Sequence, residues 1–289
     1  MCLNIGFIGA GKVGTTLGKY FSEAATISGY YSLYEKDAAA AAEFTQSWMY
    51  TTMEDITGEC DVLFLTVPDG EIKHISEELF RYDIKGKTIC HCSGAMSSEE
   101  AFCGIEDKGA YGYSIHPLFA VSDAFASYRE LEGVFFTLES CNCREDHESF
   151  KALKGMLEAL NNPYKVISKN DKKLYHCGAA AASNLVCAVS DLALSLFEKC
   201  GFEKAEALKA LSPIMTGNMK HIAEKGPMMA LTGPVERNDT TTVSKHLSCL
   251  EGDEREIYRL LSSRLAVLGE KRHPDRDYAG MSELLGKEK

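Results

Sequence analysis

The stretch GFIGAGKVGTTLGKYF, residues 6–21, decides the fold of this chain. It overlaps an apolar run over residues 3–8, whose short length and glycine ending are typical of a buried strand. Apolar residues then recur at helical spacing, as at Val13 and Leu17. The pattern therefore predicts a strand, a tight glycine-containing turn and a helix, in that order.

Three glycines of this turn have the spacing G-x-G-x-x-G, which is typical of dinucleotide-binding sites between a strand and a helix. Gly9 permits the tight turn, Gly11 lets the backbone approach a diphosphate, and Gly14 lets the helix pack closely on the strand. The free amides of the helix N-terminus also favour the diphosphate. The alternative is a glycine-rich turn that binds no ligand. The predicted cofactor contacts of the turn are Gly9, Ala10, Gly11, Lys12, Val13 and Gly14.

Apolar strands alternate with helices through residue 168, and only helices are predicted after it. The first part therefore predicts an α/β fold with a Rossmann-type, doubly wound and mostly parallel sheet, covered on both faces. We expect a dinucleotide-binding domain over residues 1–168 and a smaller all-helical substrate and dimerisation domain over 169–289. Strands are predicted at 3–8, 27–34, 48–51, 61–67, 88–92, 110–116, 134–138 and 164–167, and helices of the second part at 203–211, 213–224, 239–249 and 253–269.

The composition is that of an ordinary globular protein, with 289 residues, 45% of them hydrophobic, and a net charge of −11. Such a charge gives no general attraction to nucleic acid or to anionic membranes, and we expect neither as a partner. Eleven cysteines in a chain of this length indicate reduced thiols. The C-x-C pairs at 90–92 and 141–143 have no matching second pair, so no metal site is expected. No secretory signal precedes the first strand, and we expect a cytoplasmic protein.

The least polar stretch, residues 177–197, contains Asn184, Ser190 and Asp191, which makes it a poor membrane span. A long buried helix fits it better, and its apolar surface favours a homodimer.

The adenosine end of the cofactor site is predicted near YYSLYEKD, residues 30–37. A terminal Ser32 would leave room for a 2′-phosphate, and Lys36 or Lys12 would supply positive charge. These residues favour NADP. Glu35 would favour NAD if it ended the strand, because an acidic residue there binds the ribose hydroxyls.

Two later loops end predicted strands, where ligands of such sheets bind. They are Val67-Pro68-Asp69 and the loop that begins with Ser93 and Gly94. We expect both beside the nicotinamide and its ribose, with plain turns as the alternative.

His116 ends another strand, before Pro117, and is a candidate to bind a substrate carbonyl or carboxylate. Lys172, His176 and Asn184 fall on a broad common face if one helix carries all three. A Lys or His there could donate a proton to the substrate while Asn orients it, with surface or structural roles as the alternative.

Arg237, in LTGPVERND (residues 231–239), is a candidate for binding a substrate carboxylate. Alternatively, it pins the turn to Asp239, which is a predicted helix N-cap.

The motifs GAGKVG, VPDGEI, HCSGAMSS, GYSIHPL, KKLYHCGAAAASN and LTGPVERND together resemble the Rossmann-like NADP oxidoreductases with an all-helical C-terminal domain of unknown function. This family is related to the pyrroline-5-carboxylate reductases, ketopantoate reductases and β-hydroxyacid dehydrogenases. The resemblance covers nearly the whole chain. It implies an NADP-binding first domain, a dimerising helical second domain and a cleft lined by Ser93, His116, His176 and Asn184.

The chain departs from these relatives at two positions. Leu33 stands where related sequences have an arginine that holds the 2′-phosphate. His176 stands where the Lys-x-x-x-Asn pair of the β-hydroxyacid dehydrogenases would place its asparagine after Lys172.

The favoured hypothesis is an enzyme, an NADP-dependent oxidoreductase that moves a hydride between nicotinamide and a small polar carbonyl, imine or hydroxy acid. Its catalytic candidates are His176, Lys172, Asn184, His116 and Ser93. The alternatives are a non-catalytic dinucleotide-binding sensor or regulatory protein, and a purely structural dimer with a relic nucleotide fold.

Overall fold

An eight-stranded sheet forms the first part of the computed structural model, which describes residues 3–143 and 145–286. The strand order is β3-β2-β1-β4-β5-β6-β7-β8, and every neighbouring pair is parallel except β6 with β7. The predicted Rossmann-type, mostly parallel sheet is confirmed. Its strands are β1 (Asn4–Ile8), β2 (Thr26–Tyr31), β3 (Trp48–Met49), β4 (Val62–Leu65), β5 (Thr88–His91), β6 (Tyr111–Pro117), β7 (Phe136–Ser140) and β8 (Tyr164–Val166).

Helices connect the parallel strands and are the regular elements of the second part of the chain. They are α1 (Lys12–Phe21), α2 (Glu35–Thr45), α3 (Met53–Glu59), α4 (Asp69–Leu79), α5 (Ser98–Ala101), α6 (Glu148–Ala159), α7 (Lys172–Ala182), α8 (Asn184–Lys199), α9 (Lys204–Ala230), α10 (Thr240–Ser248), α11 (Gly252–Arg272) and α12 (Ala279–Leu284).

Both faces of the sheet are buried, as the uninterrupted apolar strands require. In β4, Val62 and Phe64 belong to one core cluster, whereas Leu63 and Leu65 belong to the other. The first cluster includes side chains of α1, α2 and α6, and the second includes side chains of α3 and α4. Alternate residues of each strand therefore serve opposite layers of helices.

The chain divides into two compact units, Met1–Ser183 and Asn184–Lys289. The boundary predicted from the sequence, between residues 168 and 169, falls before α7, which the structure groups with the sheet. The reason is a buried contact of Lys172, the first residue of α7, with the strand ends, described below.

The single long helix predicted to carry Lys172, His176 and Asn184 is wrong. Ser183 has non-helical backbone angles (φ −123°, ψ −77°) and separates α7 from α8, so Asn184 begins a different helix in the second unit. Residues 177–197 are not buried within the single chain, where α8 contains no buried residue, so burial of this stretch at a subunit interface stays a prediction. Its apolar side chains have too few partners within one copy of this unit.

The second unit consists of α8–α12 and has a small core of its own, formed by Val235, Val243, Leu247, Ala266, Tyr278, Met281 and Leu285. Pro213 lies inside α9 and does not separate two helices as the predicted segments implied. Large apolar side chains remain exposed on three helices of this unit: Leu185 and Val189 on α8, Leu208, Ile214, Met219, Met228 and Met229 on α9, and Ile257, Leu260 and Leu261 on α11.

Residues Lys169–Lys199, taken as one helical stretch, are long and apolar enough to cross a membrane by length and composition alone. This property carries little weight, because helices of proteins without membrane spans can share it. The break at Ser183 falls within the stretch.

We predict that Gly18→Ala destabilises the first unit. A Cβ at Gly18 of α1 would lie 2.9 Å from Cζ of the buried Tyr30 and closer still to its hydroxyl. Overpacking of this kind costs roughly 1–3 kcal/mol. Chemical denaturation measures the loss.

Tyr30→Phe should restore part of that stability, because it removes the colliding hydroxyl, which has no hydrogen-bond partner among the described residues. Gly58→Ala in α3 is the control, since a Cβ there meets no other atom within 4 Å. Equal stabilities of Gly18→Ala and the wild type would contradict the packing described here.

Candidate functional site

The glycine turn has the geometry that its sequence predicts. Gly9 has a φ of +104°, and a Cβ there would lie 2.7 Å from the backbone oxygen of Thr66. A Cβ at Gly14 would overlap the backbone oxygen of Gly9 and the side chain of Thr66. Both glycines are therefore needed for the turn and for the approach of α1 to β4.

Gly11 is different, because a Cβ there would meet no atom of the described residues within 4 Å, apart from its own chain neighbours. Its backbone is extended (φ −75°, ψ −169°), so the protein fold alone does not demand a glycine. Gly11 is also the N-cap of α1, without a side-chain capping bond, and the first turn of α1 contains no acidic residue. The amides of this turn are thus not occupied by a capping side chain, which is the arrangement that suits an anion.

Polar and charged residues follow β2, where the sequence predicts the adenosine end of the cofactor site. Ser32 follows the strand directly, and its hydroxyl accepts a hydrogen bond from the Tyr34 amide at 3.3 Å. Leu33 is 84% exposed. The first turn of α2 contains the acidic residues Glu35 and Asp37, and the exposed Lys36 lies between them in sequence.

Hydrogen bonds join the loops after β4 and β5. The Ser93 hydroxyl donates to Oδ2 of Asp69 at 2.6 Å and accepts from the Met96 amide at 3.1 Å. Asp69 is the first residue of α4, after Val67 and Pro68. The two loops predicted to lie beside the nicotinamide are therefore in direct contact.

Lys172 is almost completely buried, with 1% of its surface exposed. Its Nζ donates to the backbone oxygen of Ser93 at 2.8 Å and to Oγ of Ser114, on β6, at 2.5 Å. Burial lowers the pKa of Lys172 to about 8, although the negative charge of Glu139 opposes the effect. The sequence predicts Lys172 as a proton donor. In the structure, the hydrogen bonds of its ammonium group join α7 to β6 and to the loop after β5.

Ion pairs on the surface support the same attachment. Lys173 of α7 lies 3.1 Å from Glu100 of α5, and Lys169 lies 2.8 Å from Glu99. Exposed pairs of this kind contribute little individually, so the buried Lys172 contacts dominate the attachment.

His116 lies near the end of β6, as the sequence predicts, and its Nδ1 is 2.7 Å from the hydroxyl of Tyr175 in α7. Thr137 of β7 pairs with His116 across the strands. Burial lowers the pKa of His116 to about 4, and the nearby charges of Lys172 and His176 contribute to the same effect. His116 is therefore a neutral imidazole at neutral pH.

The imidazole rings of His116 and His176 both approach Gly94. A Cβ at Gly94 would lie 2.9 Å from Nε2 of His116 and closer still to Nδ1 of His176. Nδ1 of His176 is buried and has no hydrogen-bond partner among the described residues. The two rings are 6.1 Å apart between centroids and nearly perpendicular. The first unit thus brings together four of the predicted catalytic residues: Ser93, His116, Lys172 and His176.

Two predicted substrate-binding residues belong to the second unit. Asn184 is exposed at the start of α8, and Arg237 is exposed in the loop before α10. Asp239 is the N-cap of α10, as predicted, and its carboxylate accepts from the Thr242 amide at 2.9 Å.

Three partners of the site were missed at the sequence level. Ser114 and Thr137 lie within strands, where small polar residues carry no pattern of their own, and Tyr175 reads as an ordinary helix residue beside His176. Only the convergence of β5, β6, β7 and α7 reveals them. In residues 3–143 and 145–286, no group of three or more His, Cys, Asp or Glu side chains is arranged to hold a metal ion.

Two family models match the sequence. Residues 1–117 match a Rossmann-like domain, and residues 136–265 match the domain of unknown function DUF2520. No curated protein is significantly similar to the chain.

Solved structures resemble the chain over nearly its whole length. Protein TM1727 from Thermotoga maritima is 26% identical with a TM-score of 0.72, covering 93% of this chain and 99% of its own. The "putative NADP oxidoreductase BF3122" from Bacteroides fragilis is 19% identical with a TM-score of 0.69 (coverage 92% and 98%). A reductive aminase from Aspergillus terreus, in complex with NADPH and ethyl-5-oxohexanoate, is 13% identical with a TM-score of 0.60 (coverage 99% and 92%).

We predict that Lys172→Met changes how stability depends on pH. The folded-state pKa of about 8 lies below the ordinary 10.5, so the folded protein bears the full cost of the buried charge below pH 8. That cost falls as pH rises through the folded pKa towards the unfolded one. The unfolding free energy of the wild type, relative to Lys172→Met, should rise by about 2–3 kcal/mol between roughly pH 8 and pH 10.

Denaturant titrations at several pH values measure this difference. Lys173→Met is the control, because Lys173 is on the surface and its side chain is 78% exposed. A difference between the wild type and Lys172→Met that stays constant over this pH range would contradict a buried, charged Lys172.

Proposed function

We propose that this chain, which joins a Rossmann-like domain to a DUF2520 domain, is an NADP-dependent oxidoreductase. It transfers a hydride between nicotinamide and a small polar substrate, reducing a carbonyl or imine with NADPH or oxidising a hydroxy acid with NADP⁺. One observation carries the proposal. The glycine turn follows β1, the loop of Ser93 follows β5, and His116 lies near the end of β6, all on the same edge of the sheet. Between β1 and β5 lies β4, which is followed by the loop of Val67.

Adjacent strands are about 4.8 Å apart, so the row from β1 to β6 spans roughly 14 Å. An extended dinucleotide laid along this edge would place its diphosphate at Gly11 and its nicotinamide near Gly94. The carboxyl edge of a parallel sheet is also where such folds bind their ligands.

The reaction we propose transfers a hydride, with its two electrons, from C4 of NADPH to the substrate carbon. The C=O or C=N double bond becomes a single bond, the oxygen or nitrogen gains a proton, and NADP⁺ remains. His176 is the favoured proton donor because its Nδ1 has no hydrogen-bond partner within residues 3–143 and 145–286, whereas the Lys172 ammonium already donates to Ser93 and Ser114. The donor regains its proton from solvent.

NADPH is the favoured cofactor, with Ser32 and Lys36 beside its 2′-phosphate. The reductive aminase of similar fold binds NADPH, which supports this choice. Leu33 supplies no positive charge, and Glu35 and Asp37 disfavour a phosphate, so we expect a smaller preference over NADH than an arginine would give.

We further propose that the protein acts in the cytoplasm as a homodimer. The exposed apolar residues of α8, α9 and α11 support the dimer, because apolar surface of this extent is rare on monomers. Asn184 and Arg237 are proposed substrate contacts.

Steady-state assays of NADPH oxidation with a panel of keto acids, simple aldehydes and cyclic imines test the activity. Turnover that disappears in His116→Gln would support the enzyme. Tight NADPH binding without turnover over the whole panel would instead favour a non-catalytic dinucleotide sensor.

We predict that Gly11→Ala weakens NADPH binding at least tenfold without loss of stability. The new methyl group meets no protein atom, but it would stand where the diphosphate approaches the backbone. Titration of NADPH fluorescence gives the dissociation constants, and NADH titrated in parallel gives the cofactor preference.

Gly58→Ala serves as the matched control, since its Cβ also meets no other atom. Unchanged NADPH affinity in a fully folded Gly11→Ala protein would refute binding at the glycine turn.

A further inference from the structure

Tyr175 is linked to His116 by geometry that the proposed reaction does not yet use. Its hydroxyl is 2.7 Å from Nδ1 of His116, and the two rings are nearly perpendicular with centroids 5.7 Å apart. Nε2 and the adjacent Cε1 are the atoms of the His116 ring nearest to Gly94, where a Cβ would lie 2.9 Å and 3.0 Å from them. The hydrogen bond therefore occupies Nδ1 and leaves Nε2 facing the spot that His176 also faces.

The direction of this hydrogen bond follows from the donor strengths of the two groups. A tyrosine hydroxyl is far more acidic than the N–H of a neutral imidazole, and it is therefore the better donor. Tyr175 donates, and the neutral ring of His116 accepts through Nδ1. Thr137 Oγ1, on the residue that pairs with His116 across the strands, has no hydrogen-bond partner among the described residues, so it does not occupy Nδ1.

Burial, more than the nearby charges, lowers the pKa of His116 and favours the neutral ring. The buried ammonium of Lys172 and the ring of His176 act in the same direction. A neutral imidazole with an occupied Nδ1 acceptor has its single proton on Nε2. The ring then presents a donor, rather than an acceptor, to whatever lies beside Gly94.

We propose that Tyr175 is a positioning residue that fixes His116 as the neutral Nε2–H tautomer, so that the site recognises its substrate through a carbonyl oxygen. This inference rests on the proposed function for the identity of the ligand, but the tautomer itself does not. An Nε2–H donor strengthens its hydrogen bond as negative charge develops on a carbonyl oxygen during hydride transfer. It cannot form a hydrogen bond with a protonated iminium nitrogen, because that nitrogen is itself a donor. The positive charge of the iminium would also be repelled by the ammonium group of Lys172. Ketones, aldehydes and keto acids are therefore the preferred substrate class.

Nitrogen-15 NMR of histidine-labelled protein tests the tautomer without any substrate. The signals of His116 are identified by their loss in His116→Gln. In the wild type we expect a protonated Nε2 and an unprotonated Nδ1 from about pH 6 to pH 8, with the Nδ1–H form reduced at least tenfold by the hydrogen bond. In Tyr175→Phe the tautomer ratio should fall about tenfold, and the two nitrogen shifts should move towards each other.

Tyr164→Phe is the control, because the Tyr164 hydroxyl donates to the exposed Glu158 and not to His116, and β8 does not pair with β6. It should leave the His116 signals unchanged. A wild-type spectrum with the proton on Nδ1, or with a charged ring at neutral pH, overturns the proposal without any variant. The same follows if a folded Tyr175→Phe protein shows the wild-type tautomer ratio.

Kinetics separate this inference from the proposed function. Tyr175→Phe should lower kcat for keto acids about tenfold or more while leaving KM for NADPH unchanged, because the donor acts mainly in the transition state. Faster turnover of cyclic imines than of keto acids by the wild type would overturn the substrate class. Absence of turnover with any substrate would count against the proposed function, whereas the tautomer result would stand.

Discussion

A buried ammonium group, that of Lys172, holds the candidate site together. Its Nζ is bonded to the backbone of Ser93 and to the side chain of Ser114, so one charge joins α7 to the ends of two strands. Burying a charge is costly unless hydrogen bonds and opposite charges compensate for it, and Glu139 and Asp69 supply the opposite charge. Tyr175 and His176 reach His116 and Gly94 only because α7 is fixed there.

The fold explains why these residues meet at one edge. β1, β4 and β5 are neighbours in the sheet and parallel, and β6 continues the row, so the residues that follow them line up on the carboxyl side. The glycine turn is open at Gly11 and closed by packing at Gly9 and Gly14. This distinction separates the part of the motif that the fold needs from the part that only a ligand would need. Similar solved structures below 25% identity establish the fold alone, and the proposed chemistry rests on the side chains.

Much of the fold could be predicted because each apolar strand is short, uninterrupted and followed by a helix with clear periodicity. His116 and the Ser93 loop could be predicted for the same reason, since a residue just after a parallel strand reaches the ligand edge. The helix break at Ser183 could not, because an alanine-rich sequence gives no local signal for it, and Asn184 was therefore placed on the wrong helix. The burial of Lys172 could not be predicted either, because a lysine at the start of a helix is usually on the surface. Tyr175 and Thr137 acquire meaning only from contacts between elements that are far apart in sequence.

The central claim is that this edge binds a pyridine dinucleotide with its reactive ring beside Gly94. A crystal structure of the protein with NADPH tests it most directly. We expect the diphosphate on the amides of the glycine turn, against Gly11, and C4 of the nicotinamide facing the space between His116 and His176. A dinucleotide bound elsewhere on the chain, or a nicotinamide turned away from both histidines, would contradict it.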